Sequence, residues 1–397
     1  MKVLQINTVY PNGSTGKIAR GIKELCDSKQ IACRVAYRYR EKNEEIEDTY
    51  VISSYLDCHA HNRLARYTML QGCFSKIKTR FFLKKISKYA PDIIHLHNIH
   101  GSFINHKQLF DYIKKHNVKL VWTFHDCWPF TGCCPHFTIS GCDKWMSECH
   151  KCPQKGVALI DSSRQMHKNK KKWFMGVQNA TIVTPSKWLA GVARQSFMKE
   201  YPVKVINNGI DLSVFKPAES DFREKYGCEG KQIVLGVAFG WGYKKGLDVL
   251  VELSKRLPPE YQIVLVGTDD AVDKQLPDNI ISIHRTNNQA ELAEIYTAAN
   301  VFVNPTREET LGLTTVEALA CGTSAVVFRV GGAPECVDDT CGSVIDVDDI
   351  DAMEREIIRI CEDKPYSTDA CLARASRFDM KRRFEEYVEL YEEVLNR

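Results

Sequence analysis

Apolar residues along this chain gather in short runs at residues 2–7, 93–97, 118–124 and 180–184, each β-rich and separated by segments long enough for a helix. This spacing predicts βαβ units and a parallel sheet. The same grammar restarts at residues 232–239 and recurs at 262–266, 280–283, 301–304 and 324–328. Between the two series lies a turn-forming stretch, Asn207-Asn208-Gly209-Ile210-Asp211, followed by Pro217, which predicts a domain boundary. The expected architecture is α/β, with two Rossmann-like domains facing each other across an interdomain cleft. An N-terminal domain would span residues 1–208, with a Cys-rich insert at about 127–155, and a second domain residues 209–375. Residues 376–397 would form a helix packing back across the domains, with Phe384, Tyr387, Val388, Tyr391 and Val394 on one face. Open α/β sheets bind ligands beyond the carboxyl ends of their strands, so the cleft is the expected site.

Length agrees with this division, because 397 residues exceed the usual extent of one hydrophobic core. A hydrophobic share of 44% and a charged share of 26% exclude collagenous, low-complexity and disordered chains. The first residues enter alternating apolar positions without the apolar core and cleavage site of a secretory signal. No run approaches the roughly 20 apolar residues needed to span a bilayer. A cytoplasmic location is therefore expected, with room for peripheral attachment at the inner face of the cell membrane. Charge adds an asymmetry: residues 1–200 hold 32 Lys and Arg against 15 Asp and Glu, the remainder 22 against 35. A basic half suits an anionic membrane, a nucleic acid or a phosphorylated substrate.

The most informative chemistry lies at residues 304–322, where a strand ends, a loop carries carboxylates and a helix begins. Glu309 is expected in the loop and Glu317 about two turns inside the helix. Free amides at Thr310, Leu311 and Gly312, with the positive helix end, suit a phosphate, while the carboxylates suit sugar hydroxyls. Solvated helix-start glutamates are the plain alternative. Lys244-Lys245-Gly246 follows the first strand of the second series, where a lysine can meet a diphosphate as a point charge, although it also reads as an exposed turn. Gly331 and Gly332 allow close backbone approach to a ligand, or simply make a turn.

In the first half, Asn12-Gly13-Ser14-Thr15-Gly16-Lys17 follows the first strand and offers amides to a phosphate, with Gly16 the candidate contact. Neither a Walker loop nor a full dinucleotide fingerprint is present, which argues against an ATPase or a dehydrogenase. His97 and His125 end apolar strands, the position where α/β enzymes keep their chemistry. His125 is the candidate catalytic group and His97 reads as a core histidine. Cys134, Cys142, Cys149 and Cys152 could hold a structural zinc; reduced thiols and disulfides stay open as readings. Residues 76–88 mix cations with an apolar face. The apolar face is expected to pack on the sheet and the cations to favour an anionic membrane.

Taken in order, these motifs resemble the family-4 retaining glycosyltransferases of the GT-B fold, whose signature is Glu-x7-Glu in the setting of Glu309 and Glu317. The resemblance covers nearly the whole chain. It implies transfer from a UDP or GDP sugar to a hydroxyl of a glycan or lipid-linked acceptor, as in bacterial capsular, exopolysaccharide or lipopolysaccharide synthesis. It implies Glu309 on the donor sugar and Glu317 on the ribose. The backbone of Thr310, Leu311 and Gly312 would meet the sugar and distal phosphate, Lys245 the diphosphate, and His125 would lie beside the reacting sugar. The base would be held through the backbone near Ile283-His284-Arg285-Thr286. One departure stands out: an arginine often found five residues before the lysine is Gly240 here. Without an Asp-x-Asp motif in a suitable loop, transfer is expected to need no catalytic metal or other cofactor. A sugar-nucleotide epimerase or phosphorylase shares this architecture, and a zinc-stabilised nucleic-acid-binding protein is the reading from a different class. Nucleic acid is not an expected partner under the glycosyltransferase reading.

Overall fold

The computed structural model describes residues 1–40 and 46–397. They divide into two compact units, one of residues 1–206 and 384–397, the other of residues 207–383. In the first unit the strands are β1 (Lys2–Ile6), β2 (Ala32–Tyr37), β3 (Thr49–Val51), β4 (Ile93–Leu96), β5 (Lys119–Thr123), β6 (Ala180–Thr184) and β7 (Val203–Val205). They form a parallel sheet in the order β3-β2-β1-β4-β5-β6-β7. The second unit holds β8 (Gln232–Val237), β9 (Tyr261–Val266), β10 (Ile280–Ile283), β11 (Val301–Asn304), β12 (Ala325–Phe328) and β13 (Gly342–Ile345). Their order, β10-β9-β8-β11-β12-β13, is also parallel and repeats the first six positions of the other sheet.

Both sheets are doubly wound. Their order reverses beside the first strand, between β1 and β4 in one unit and between β8 and β11 in the other, which leaves a crevice at the carboxyl ends of those strands. Central strands read as unbroken apolar runs because helices cover both faces: β12, Ala-Val-Val-Phe, is buried at all four positions. Helix Ser14–Ser28 turns Ala19, Ile22 and Cys26 inward and crosses from β1 to β2.

Helix Met380–Leu395 buries Tyr387, Val388, Leu390, Tyr391 and Val394. In the first unit these side chains join a cluster with Val3, Ile22, Ile93, Val121 and Val183. Polar wiring accompanies the apolar contact, with the Tyr391 hydroxyl 2.6 Å from His95 Nδ1 and Thr123 Oγ1 donating to Tyr387 at 3.1 Å.

Helix Lys76–Tyr89 departs from expectation. Phe82 and Ile86 are buried, but Ile77 and Phe81 stand 70% and 60% exposed. Its apolar residues occupy more than the width of one buried stripe, so a single packed face cannot absorb all of them.

Candidate active site

In the second unit, the loops after β8 and β11 meet at the crevice where the strand order reverses. They are joined by their backbones: the Arg307 amide donates to the Lys244 carbonyl at 2.9 Å. Arg307, nearly buried, stacks 3.9 Å over the Tyr243 ring and donates to Asp248 and Asp348. Lys244 pairs with Glu308 at 3.0 Å, and the next residues along each loop repeat the pairing, Lys245 Nζ to Glu309 Oε2 at 2.9 Å. Sequence reasoning missed Arg307 as the post that fixes both loops. Its only signal was an arginine at the end of a buried strand, where a charge needs partners.

Glu309 Oε1 accepts the Thr310 amide at 3.1 Å, so that N–H is already engaged. The Leu311 side chain is buried and its carbonyl accepts the Cys336 thiol at 3.0 Å. Gly312 has φ 102° and caps the helix Leu313–Ala320. Among the described residues the amides of Leu311 and Gly312 have no acceptor, leaving two N–H groups beside the Lys245–Glu309 pair. Glu317 is the fifth residue of that helix, little more than one turn from its start rather than two, because the helix begins only after Gly312. Its carboxylate accepts the buried Tyr296 hydroxyl at 3.0 Å. The Gly331–Gly332 loop approaches protein, not open space: a Cβ on Gly331 would lie 1.9 Å from the Glu309 carbonyl oxygen, which also accepts the Gly332 amide at 3.1 Å.

In the first unit, Gly16 lies in the first turn of helix Ser14–Ser28, where a Cβ would stand 3.2 Å from the Pro11 carbonyl carbon. Loops after β1 and β4 are tied by Thr8 Oγ1 donating to the Asn98 carbonyl at 2.8 Å and the Asn98 amide to Asn7 at 3.2 Å. Behind them runs a histidine chain. Gln5 Nε2 donates to the Ala19 carbonyl at 2.9 Å, so Gln5 Oε1 is the acceptor for His97 Nε2 at 3.0 Å. His97 Nδ1 must then accept from His125 Nε2 at 3.2 Å. The chain fixes the His125 tautomer and leaves Nδ1 as a hydrogen-bond acceptor. Burial pushes His125 down to about 4, so its imidazole is neutral near pH 7.

The same burial holds His61 at about 4 and His95 and His106 at about 3, against 6.5 for the free group. Neutral burial stabilises the fold fully above the unfolded value of 6.5, and that contribution is lost as pH falls towards 3–4. Each group costs about 1.4 kcal/mol per pH unit in this window. The unfolding midpoint followed by circular dichroism is therefore expected to fall steeply between pH 6.5 and 5, before carboxylates titrate; a flat midpoint there would contradict neutral burial.

All sixteen cysteines are free thiols. Cys134, Cys142, Cys149 and Cys152 line one small cavity in the first unit. Elsewhere, Asp270, Asp273 and His284 bring three ligand atoms within 4.8 Å of one another; all three are exposed, and His284 Nε2 is 2.6 Å from Asp273.

Solved structures give the class: the chain has the GT-B glycosyltransferase fold. Sucrose-phosphate synthase from Thermosynechococcus elongatus is similar with a TM-score of 0.73 and 19% identity, covering 100% of this chain and 99% of that one. Anabaena HepE in complex with UDP-glucose is similar with a TM-score of 0.64 and 15% identity, covering 99% and 100%. Residues 31–214 match the model of Glycosyltransferase Family 4 and residues 219–377 that of Glycosyl transferases group 1, which together take in most of the chain. The chain belongs to the family-4 glycosyltransferases. A protein named for colanic acid biosynthesis glycosyl transfer, WcaC of Escherichia coli (strain K12), is 24% identical over 424 aligned residues, covering 99% of this chain and 100% of its own. The nucleic-acid-binding reading gives way to an enzyme that transfers sugars.

Proposed function

We propose that this enzyme moves a sugar, with retention of anomeric configuration, from a UDP or GDP sugar to a hydroxyl of a glycan or lipid-linked acceptor in bacterial surface-polysaccharide or lipopolysaccharide assembly. One observation carries the donor assignment: an ammonium, a carboxylate and two free amides converge at the strand-order reversal of the second unit. Lys245 and the amides of Leu311 and Gly312 take the diphosphate, Glu309 grips the sugar hydroxyls, and Glu317 the ribose. The names of two similar proteins, one tied to colanic acid and one bound to UDP-glucose, support the substrate class.

The bond from the anomeric carbon to the phosphate oxygen breaks, and oxocarbenium-like charge develops on the sugar. Negative charge gathers on the departing diphosphate, where Lys245 and the amides stabilise it without a metal. The acceptor hydroxyl forms the new bond from the leaving-group face, and its proton passes to the departing phosphate oxygen. His125 Nδ1, held as an acceptor, orients a hydroxyl, and the first helix turn at Gly16 is the candidate contact for a donor phosphate or the acceptor.

A thermal-shift panel of sugar nucleotides tests the reading. The cognate donor at 100 times its Kd is expected to add about 2.7 kcal/mol of stability, with chelator present. Equal melting with every UDP and GDP sugar would sink it.

Peripheral membrane contact is part of this proposal. Ile77 and Phe81 are exposed on a helix that also carries Lys76, Lys78, Lys84 and Lys85. No helix among the described residues is long and apolar enough to cross a membrane. Flotation with anionic vesicles at low salt is expected to carry the protein up, and about 1 kcal/mol should be lost for each of these lysines replaced by Gln. Protein left behind at low salt would reject the contact.

A further inference from the structure

The Cys-rich loop of the first unit has no task in the transfer chemistry, yet it borders a small, partly open cavity of about 20 Å³ lined by Cys133, Cys134, Cys142, Cys149, His150 and Cys152. That volume is enough for a single ion or water. Two backbone amides point at sulfur, Gly132 to Cys149 Sγ at 3.2 Å and Gln154 to Cys152. Glycine is required for the first approach: a Cβ on Gly132 would stand 2.7 Å from the Ser163 carbonyl oxygen and 3.1 Å from the Cys149 Cβ.

A second observation is independent of the thiols. Lys170 is fully buried, with Nζ donating to the carbonyls of Trp128 at 2.7 Å and Thr131 at 3.1 Å and lying 3.5 Å from the Trp128 ring centroid. No carboxylate lies within 4.0 Å of it among the described residues, and Asp126, which faces it, is engaged by His100 at 3.0 Å. Cys133, Cys134 and Cys149 are its other chargeable neighbours. A buried ammonium with no carboxylate in direct contact costs several kcal/mol.

We propose that Cys134, Cys142, Cys149 and Cys152 bind one zinc ion as thiolates, with Lys170 as the buried counter-charge. Four thiols release four protons to solvent as the ion enters, and the tetrathiolate carries a net charge of −2, half of which Lys170 offsets. Cys133 is outside the set because its thiol donates to the Met69 carbonyl at 3.4 Å, and His150 Nδ1 is 2.8 Å from the Glu148 carbonyl. No three of the sulfurs lie within 4.8 Å of one another. Zinc–sulfur bonds near 2.3 Å require closer spacing than this, so the proposal requires the cysteine side chains to rotate towards the ion as it binds. The bound ion fastens the loop between Cys134 and Cys152, leaving Lys245 and Glu309 to the chemistry.

Elemental analysis of full-length protein purified under reducing conditions tests this, with one zinc per chain expected. Cobalt exchanged into the same protein should show the sulfur-to-metal charge-transfer and ligand-field bands of a tetrahedral tetrathiolate. Cys133→Ser should keep the metal, Cys142→Ser should lose it, and Lys170→Met should weaken zinc affinity by about 10- to 100-fold as measured by chelator competition. The wild-type measurements decide even where a variant fails to fold. Zinc well below one per chain with all thiols titrating, iron in its place, or disulfides among these four cysteines would each overturn the assignment. Sugar-nucleotide binding is a separate readout, so failure of the zinc site leaves the transferase reading to its own test.

Discussion

Glu309→Gln and Lys245→Met are each expected to lower the rate of sugar transfer by about 10²–10³-fold while leaving the circular dichroism spectrum unchanged. For Lys245 the size follows from removing one preorganised group aimed at charge that develops in the transition state, and for Glu309 from losing the group that positions the sugar, about 2.7–4 kcal/mol in each case. The fold is expected to survive because the pair keeps some contact with solvent, with side-chain exposures of 29% and 19%, and partly exposed ion pairs stabilise by only about 1 kcal/mol. Without donor, the Lys245 ammonium and the Glu309 carboxylate satisfy each other at 2.9 Å. On the proposed reading, a diphosphate would replace the carboxylate as partner of the lysine and free Glu309 for the sugar hydroxyls. The two groups therefore act as a unit, and the double variant should lose much less than the product of the single losses. Donor-induced melting shifts should shrink more for Lys245→Met than for Glu309→Gln. Normal turnover by Glu309→Gln would remove its assigned role.

Gly331→Ala is expected to destabilise the second unit by about 2–5 kcal/mol. A positive φ of 56° costs an L-residue about 1–2 kcal/mol, and the methyl group would sit 1.9 Å from the Glu309 carbonyl oxygen, forcing the backbone apart at a further 1–3 kcal/mol. That shift moves Glu309 itself, so transfer should fall with stability. Gly242→Ala is the control: its φ of 170° is ordinary extended backbone, and nothing lies within 4 Å of the added carbon. Differential scanning calorimetry should show a clear loss for Gly331→Ala and almost none for Gly242→Ala. Equal melting of the two would mean that the glycine loop does not hold Glu309 in place. The comparison separates two meanings of one sequence signal, because glycines that suggest close approach to a ligand here approach the backbone of the residue assigned to grip it.

Nine of the strands were legible from apolar runs, since a strand covered on both faces must be apolar throughout. The other four, β2, β3, β7 and β13, lacked that signature. Ala32–Tyr37 carries Arg34, and β3 and β7 have only three residues each. Strand β13 opens Gly-Ser and is defined by its register on β12. The edge strands β3, β7 and β13 are set by the partner that hydrogen-bonds them, which no local pattern records.

The sequence by itself determined the α/β class, the two series of strands, and the loop that carries Glu309 before a helix start. Those features depend on local periodicity and on residue types whose chemistry is legible one at a time. Only the tertiary structure decided that Lys245 pairs with Glu309 rather than Glu308, that Arg307 binds the two loops together, and that Gln5 sets the His125 tautomer through His97. Lys245 and Glu309 are 64 positions apart and Gln5 and His97 are 92, so their meeting depends on which strands become neighbours. Strand order is a property of the folded sheet, and the protonation of a buried imidazole follows from the partner that order places beside it.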